Sequence, residues 1–145
     1  MPDAAATKAW LEERFGAQAA APRARRVFAE VPAGSLRAVL EVAREELGFD
    51  ALCAITGLDE GESLAAIYHL ACAHGTVLSL KTRVPRASPS LPTVTDLFPG
   101  AADYERELDD LLGFHIEGLP PGRRYPLPED FPRDQKPLRK DWSAR

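Results

Sequence analysis

Apolar residues recur at two spacings along this chain, and the switch between them marks its elements. Residues 3–15 read as an amphipathic helix, with Asp3 as cap, Trp10, Leu11 and Phe15 on one side, and Gly16 ending it. Residues 17–22 read as a small-residue linker. Val27, Ala29 and Val31 then alternate with Arg26, Phe28 and Glu30, which predicts a strand over 25–31. Ser35 stands as N-cap to the clearest helix: Leu36, Val39, Leu40, Ala43 and Leu47 form one stripe, Arg37, Glu41, Arg44 and Glu45 the charged face, and Gly48 closes it. Strands follow over 51–58, 64–72 and 76–84. Their links, Asp59-Glu60-Gly61-Glu62 and Ala73-His74-Gly75, are short and contain glycine, which predicts antiparallel hairpins. In the last strand Leu78, Leu80, Thr82 and Val84 face inward, and Ser79, Lys81 and Arg83 outward. The strand before it is apolar on nearly both sides, as expected of a central strand covered by helices. The fold class implied is α+β: a two-layer domain with a mostly antiparallel sheet of about four strands and packed helices, followed by an extended proline-rich C-terminal arm. The expected division is 1–92 for the domain, 93–118 for an acidic helical segment joined to it, and 119–145 for the arm.

The last third changes character. After the Pro/Ser-rich stretch 85–92 and the break at Pro99-Gly100, Tyr104, Leu108, Leu111 and Leu112 share one helical face, and Gly113 sits where a left-handed cap is wanted. The other faces carry Asp103, Glu105, Glu107, Asp109 and Asp110 against a single base, Arg106. Carboxylates so crowded repel one another, and such a helix needs cations from elsewhere. They come next: residues 119–145 hold Arg123, Arg124, Arg133, Lys136, Arg139, Lys140 and Arg145, and six prolines between Pro120 and Pro137. Proline removes amide donors and disfavours helix before it, so this segment is expected to be extended and without its own core. Tyr125, Leu127, Phe131, Leu138 and Trp142 are too apolar for a solvated linker. The arm should lie along a surface, either of this chain or of another.

Charge sharpens that picture. The formal net charge of −4 hides an uneven distribution, with −5 over 101–118 and +3 over 119–145. The acidic balance argues against nucleic acid as the main partner, although the arm alone resembles a basic tail. No apolar run approaches the roughly 18 residues of a membrane span, and the N-terminus lacks a signal-peptide pattern, which points to a cytoplasmic chain. Cys53 and Cys72 show no zinc spacing and are too few to hold an iron–sulfur cluster; they read as buried thiols.

His69, Cys72 and His74 invite a metal reading, but strand alternation puts His69 and Cys72 on opposite faces, leaving Cys72 and His74 as a poor two-ligand site. The carboxylates of 103–110 lack the His, Ser or Cys companion that acid–base or nucleophilic chemistry needs. No glycine-rich loop follows a strand, so the arginines do not belong to a phosphate-binding loop. Aromatic stacking platforms are likewise missing, against a single-strand nucleic-acid binder. Arginine–carboxylate pairs, within the chain or across an interface, are the favoured reading.

Glu105-Arg106-Glu107, then Asp110, Gly113 and Gly118, with Pro137-Leu138-Arg139-Lys140-Asp141 downstream, resemble the motif of the 30-kDa hydrophilic subunit family of respiratory complex I. That family includes the matching subunits of energy-converting membrane-bound [NiFe] hydrogenases and formate hydrogenlyases. Thr93 to Asp96 and Phe98-Pro99-Gly100-Ala101 fit the same lead-in. Quinone-reducing members usually carry His-Pro after the glycine at Gly118, where this chain has Leu119-Pro120-Pro121. Arg124-Tyr125-Pro126-Leu127-Pro128 with Asp130, after Arg123, is more similar to the hydrogenase branch. The resemblance implies the same two-layer fold, with Glu105, Arg106, Glu107 and Asp110 in hydrogen-bonded pairs that fix helix and arm.

It also implies a function: a non-catalytic accessory or assembly subunit of a complex-I-like membrane-bound redox complex. The chain itself would bind no cofactor and no metal. Its partners would be a large, hydrogenase-like subunit and a small iron–sulfur subunit, which would carry iron–sulfur clusters and NiFe or quinone. The chain would sit peripherally on the cytoplasmic side of the inner membrane. The alternatives are a small stand-alone enzyme, for which no constellation is found, and a regulatory or nucleic-acid-binding module using the basic arm.

Overall fold

The computed structural model describes residues 3–144. Its elements run α1 (Ala4–Phe15), β1 (Gln18–Arg23), β2 (Arg26–Glu30), a short 3-10 turn (Ala33–Ser35), α2 (Leu36–Leu47), β3 (Ala51–Asp59), β4 (Ser63–Ala71), β5 (Val77–Pro85), β6 (Ser90–Pro92), α3 (Ala101–Leu112) and β7 (His115–Glu117). Asp3 caps α1 by accepting from the Ala6 amide at 2.8 Å, and Gly16 ends the helix in the left-handed conformation. Ser35 does not cap α2 with its hydroxyl: it closes the preceding turn in a helical conformation, not the extended one that a capping side chain uses.

The fold is α+β, with a larger sheet than expected. Five strands run in the order β1-β2-β5-β4-β3. The hairpins β3–β4 and β4–β5 are antiparallel, as their short links predict, while β2 lies parallel to β5. Three expectations are corrected here. The small-residue stretch 17–22 is a strand, held antiparallel against β2. The central strand is β5 rather than β4; the second face of β4, with Ile67 and His69, is half-buried without being sealed. Cys72 is buried as expected, but Cys53 is exposed, because it sits at the bulge that β3 makes on the edge of the sheet.

One face of the sheet is buried: Val27, Ala29, Ile55, Leu64, Ala66, Tyr68, Leu70, Leu78, Leu80 and Val84 join Leu11, Leu36, Val39 and Leu40 from the helices. The opposite face carries Arg26, Phe28, His69, Ser79, Lys81 and Arg83, all exposed or half-buried. His69 is used there as a cross-strand tie, its ring 2.8 Å from Ser79 Oγ and 3.0 Å from Thr56 Oγ1. Burial and the nearby Arg26 hold its pKa below the ordinary value.

A second, two-stranded parallel ladder pairs β6 with β7. It ties the chain on either side of α3 together and sets that helix against β3. The approach is close at Gly57: a Cβ there would run into Leu112 Cδ1 and come within 2.8 Å of Leu108 Cδ2. Both leucines are nearly fully buried and have little room to yield. Gly57→Ala should therefore push α3 off the sheet and cost about 1–3 kcal/mol, the usual penalty of overpacking, read as a lowered urea midpoint.

Candidate functional site

The residues that carry the resemblance converge on α3 and what surrounds it. Glu105 is fully buried: one carboxylate oxygen accepts from the Thr93 hydroxyl at 2.6 Å and the other from the Val94 amide at 2.8 Å. It fastens the helix to the lead-in segment. Burial raises its pKa above the usual carboxylate value, against the two donors, which lower it. The lead-in is held from its other side by Arg37 of α2, whose two terminal nitrogens meet the two Asp96 oxygens at 2.8 and 2.7 Å and whose Nη1 also donates to the Thr93 carbonyl at 2.7 Å. That bidentate contact pulls the Asp96 pKa down to about 2.

Arg106 and Asp110 face the arm. Arg106 pairs with Asp103 at 3.2 Å and donates to the Pro120 carbonyl at 3.1 Å. Gly122 lies so close to its guanidinium that a Cβ would stand 2.5 Å from Nη2. Asp110 and Arg124 form a buried ion pair, each side chain 6% exposed. Arg124 Nε and Nη2 donate to one Asp110 oxygen at 2.9 and 2.6 Å, the Leu127 amide donates to the other at 2.8 Å, and Arg124 Nη1 reaches the Phe131 carbonyl at 2.7 Å. Every oxygen of the carboxylate is thus engaged, the condition under which a buried pair is tolerated. Glu107 departs from the expected scheme. It is half-buried on α3 and makes no hydrogen bond or ion pair with another described residue.

The downstream run from Lys136 to Asp141 returns to the same helix. An α-helix ends with carbonyls that have no partner of their own. Here the Leu138 amide donates to the Leu111 carbonyl at 3.0 Å and Arg139 Nε to Leu112 at 2.7 Å, while Lys136 Nζ adds a second donor, at 3.0 Å, to the Asp109 carbonyl that the Gly113 amide already caps. Two of those donors are cationic and sit at the negative end of the helix dipole. Gly113, at φ +83°, makes this possible, since a Cβ there would stand 2.9 Å from Arg139 Nη2. Gly118 also has positive φ, with Thr93 close behind it. Pro137 is half-buried beside these contacts, whereas Lys140 and Asp141 are exposed.

The arm's last anchor is one that sequence reasoning missed. Asp59, at the end of β3, is buried and accepts from the Gly61 amide at 2.9 Å, Arg86 Nη1 at 2.6 Å and the Lys140 amide at 2.8 Å. These donors, led by Arg86, hold its pKa far below the carboxylate range. Arg86 continues to Asp141 at 3.0 Å. The Asp-x-Gly of the hairpin link was a legible turn signal. Nothing in the sequence announced that its carboxylate would also take an amide from the arm.

Residues 119–144 contain no helix or strand, and this segment lies along its own chain. Tyr125 and Leu138 nevertheless point outward, 45% and 55% exposed. Arg123 is exposed and makes no hydrogen bond or ion pair with another described residue. Cys72 and His74 do share the β4–β5 turn, with Sγ 3.5 Å from Nδ1; His69 is directed elsewhere. Among the described residues there is no group of three or more His, Cys, Asp or Glu placed to hold a metal ion, and no helix long and apolar enough to cross a membrane.

Comparison with known proteins gives the chain's relatives. Residues 29–145 match the family described as respiratory-chain NADH dehydrogenase, 30 Kd subunit. The chain is 37% identical over 122 residues to a subunit of the F(420)H(2) dehydrogenase of Methanosarcina mazei, covering 82% of this chain and 77% of that one. It is 36% identical over 115 residues to a subunit of the NADH-quinone oxidoreductase of Moorella thermoacetica, covering 77% and 76%. It is 36% identical over 87 residues to the beta subunit of the membrane-bound hydrogenase of Pyrococcus furiosus, covering 57% and 50%. Among solved structures, a chain of the membrane-bound sulfane sulfur reductase, an archaeal respiratory membrane complex, superposes with a TM-score of 0.84 at 32% identity, covering 94% of this chain and 83% of that one. With a family match over residues 29–145 and relatives of this similarity, the chain belongs to the 30-kDa subunit family of the respiratory-chain NADH dehydrogenase.

Proposed function

We propose that this chain is a non-catalytic accessory subunit of a complex-I-like membrane-bound redox complex, of the hydrogenase or NADH-quinone oxidoreductase type. In this reading residues 1–92 form the body, 93–118 the braced helix and 119–145 the docking arm. The arm docks on a large, hydrogenase-like subunit beside a small iron–sulfur subunit. Electron transfer runs through iron–sulfur clusters and NiFe or quinone in those partners, on the cytoplasmic side of the inner membrane. Family membership supports the kind of complex. The observation that carries the docking role is the contrast within the arm: its backbone is fastened at Asp110, at the end of α3 and at Asp59, yet Tyr125 and Leu138 are presented to solvent. A fastened segment has little freedom to lose on association; an exposed tyrosine is the kind of anchor that dominates interface energies, and the exposed leucine adds apolar area to it.

The nucleic-acid reading gains nothing from the same residues. Arg124, Lys136 and Arg139 are turned to Asp110 and to helix carbonyls, away from any phosphate-facing surface.

The double variant Tyr125→Ala/Leu138→Ala tests the proposal. Because both side chains are exposed, its unfolding midpoint should match the parent. Its co-purification with the other subunits should fall at least tenfold, as expected if each anchor contributes about 1–2 kcal/mol. Undiminished recovery of the intact complex would defeat the docking role of the arm.

A further inference from the structure

Between α3 and the arm lies an open cleft of about 650 Å³, and beside it a second of about 460 Å³. Arg106, Gly122, Arg123 and Arg124 line both. The larger cleft is walled by five bases against three acids, a positive patch on a chain whose formal net charge is −4. Four of those bases are engaged: Arg106 with Asp103 and Pro120, Arg124 with Asp110, Arg133 with Glu129, and Lys136 with Asp109. Arg123 alone has no acceptor among the described residues. Its setting is stiff. Pro120 and Pro121 precede it, Gly122 is pressed against the Arg106 guanidinium, and the next residue is the buried Arg124. On the other side, in the smaller cleft, stands the exposed Tyr125 ring.

We infer that this cleft receives a carboxylate: an Asp or Glu side chain in an acidic segment of the partner subunit, gripped by Arg123 with Tyr125 as the apolar edge of the contact. The inference rests on the docking role proposed for the arm and names the chemistry of the surface it meets. A guanidinium presents paired donors whose spacing matches the two oxygens of a carboxylate, which an ammonium cannot imitate. The neighbouring arginines are already neutralised by their own acids, so the incoming charge is directed to Arg123. Charge complementarity of this kind sets specificity and association rate, and it weakens as salt screens it.

The test uses the full chain in its complex, with affinity for the remaining subunits measured at about 0.1 M and about 0.5 M salt, where the screening length falls roughly twofold. Arg123→Glu should weaken binding about tenfold at the lower salt and much less at the higher, a difference carried by association rate. Arg123→Lys should keep the salt dependence but recover only part of the affinity, since an ammonium cannot make the paired contact, and Tyr125→Ala should lose affinity equally at both salts. If Arg123→Glu binds as the parent does while Tyr125→Ala and Leu138→Ala do not, the acidic partner is excluded and the docking arm survives. If none of the three changes binding, the docking arm falls with it. If instead Arg123→Glu assembles normally but abolishes retention of a single-stranded oligonucleotide by the parent chain, the cleft serves a nucleic acid and the inference is overturned.

Discussion

Arg124→Ala should unfasten the C-terminal arm while leaving the sheet and its helices folded. The substitution removes three donors at once and leaves the Asp110 carboxylate, 6% exposed, with the Leu127 amide as its one remaining partner among the described residues. Losing one member of a buried pair costs about 3–5 kcal/mol, because the survivor keeps its charge without compensation. That loss exceeds what an arm without helix, strand or core of its own can absorb, so it appears as local opening rather than global unfolding. An opening equilibrium shifted by about 3 kcal/mol is roughly a hundredfold, which trypsin should report as faster cleavage after Arg133 and Arg139. Arg124→Lys should rescue little, since one ammonium cannot reach the Asp110 oxygen through two nitrogens and the Phe131 carbonyl through a third. Assembly should weaken in both variants, because Tyr125 and Leu138 lose their fixed positions. Parent-like cleavage rates in Arg124→Ala would show that the pair does not hold the arm.

Glu105→Ala should strike the folded body instead, by about 2–4 kcal/mol. It strips the Val94 amide and the Thr93 hydroxyl of their acceptor at a fully buried site and leaves a void between α3 and the lead-in. Glu105→Gln should cost less and expose the carboxylate's own electrostatics. Because burial raises the folded pKa of Glu105, its contribution to stability is full below the unfolded value near 4.3 and is lost as pH rises through the folded value. Asp59 and Asp96 act with the opposite sign. Their folded pKa values are depressed, so their contributions are present above about 4 and vanish as pH falls through the folded values. The stability gap between Glu105→Gln and the parent should therefore move in the variant's favour from about pH 4 to pH 7. Urea titrations across that range read it directly, and a gap that widens against the variant would contradict the buried, raised carboxylate.

How much of this was legible depended on whether a residue's partner was local. The stripe from Leu36 to Leu47, the alternation from Leu78 to Val84 and the Gly48 and Gly113 caps each declare themselves within a few positions, and each is found where the pattern puts it. β1 was missed because Ala19, Ala20 and Ala21 with Pro22 have low strand propensity, and the inward Ala19 and Ala21 are no more apolar than the outward Ala20 between them. Pairing with β2, rather than any preference of its own, makes that segment extended. The parallel ladder of Ser90–Pro92 with His115–Glu117 was hidden for the same reason, one strand lying in a proline-rich run. In the site, the acidic helix and the basic arm were evident as opposite charges, but the assignment of partners was not. Composition cannot tell an arginine that meets its own Asp110 from one kept for a neighbour. Distance in sequence is the obstacle at Asp59 too, where one carboxylate gathers a turn, a strand end and the arm.

That last contact reaches across 81 positions, from Asp59 to Lys140. With the carbonyls of α3 it turns the second half of the polypeptide into a closed circuit, fastened without any covalent bond. A single nick between Arg124 and Lys136 would leave two pieces that still grip each other through Lys136, Leu138, Arg139 and Lys140, so the break would emerge on denaturation alone.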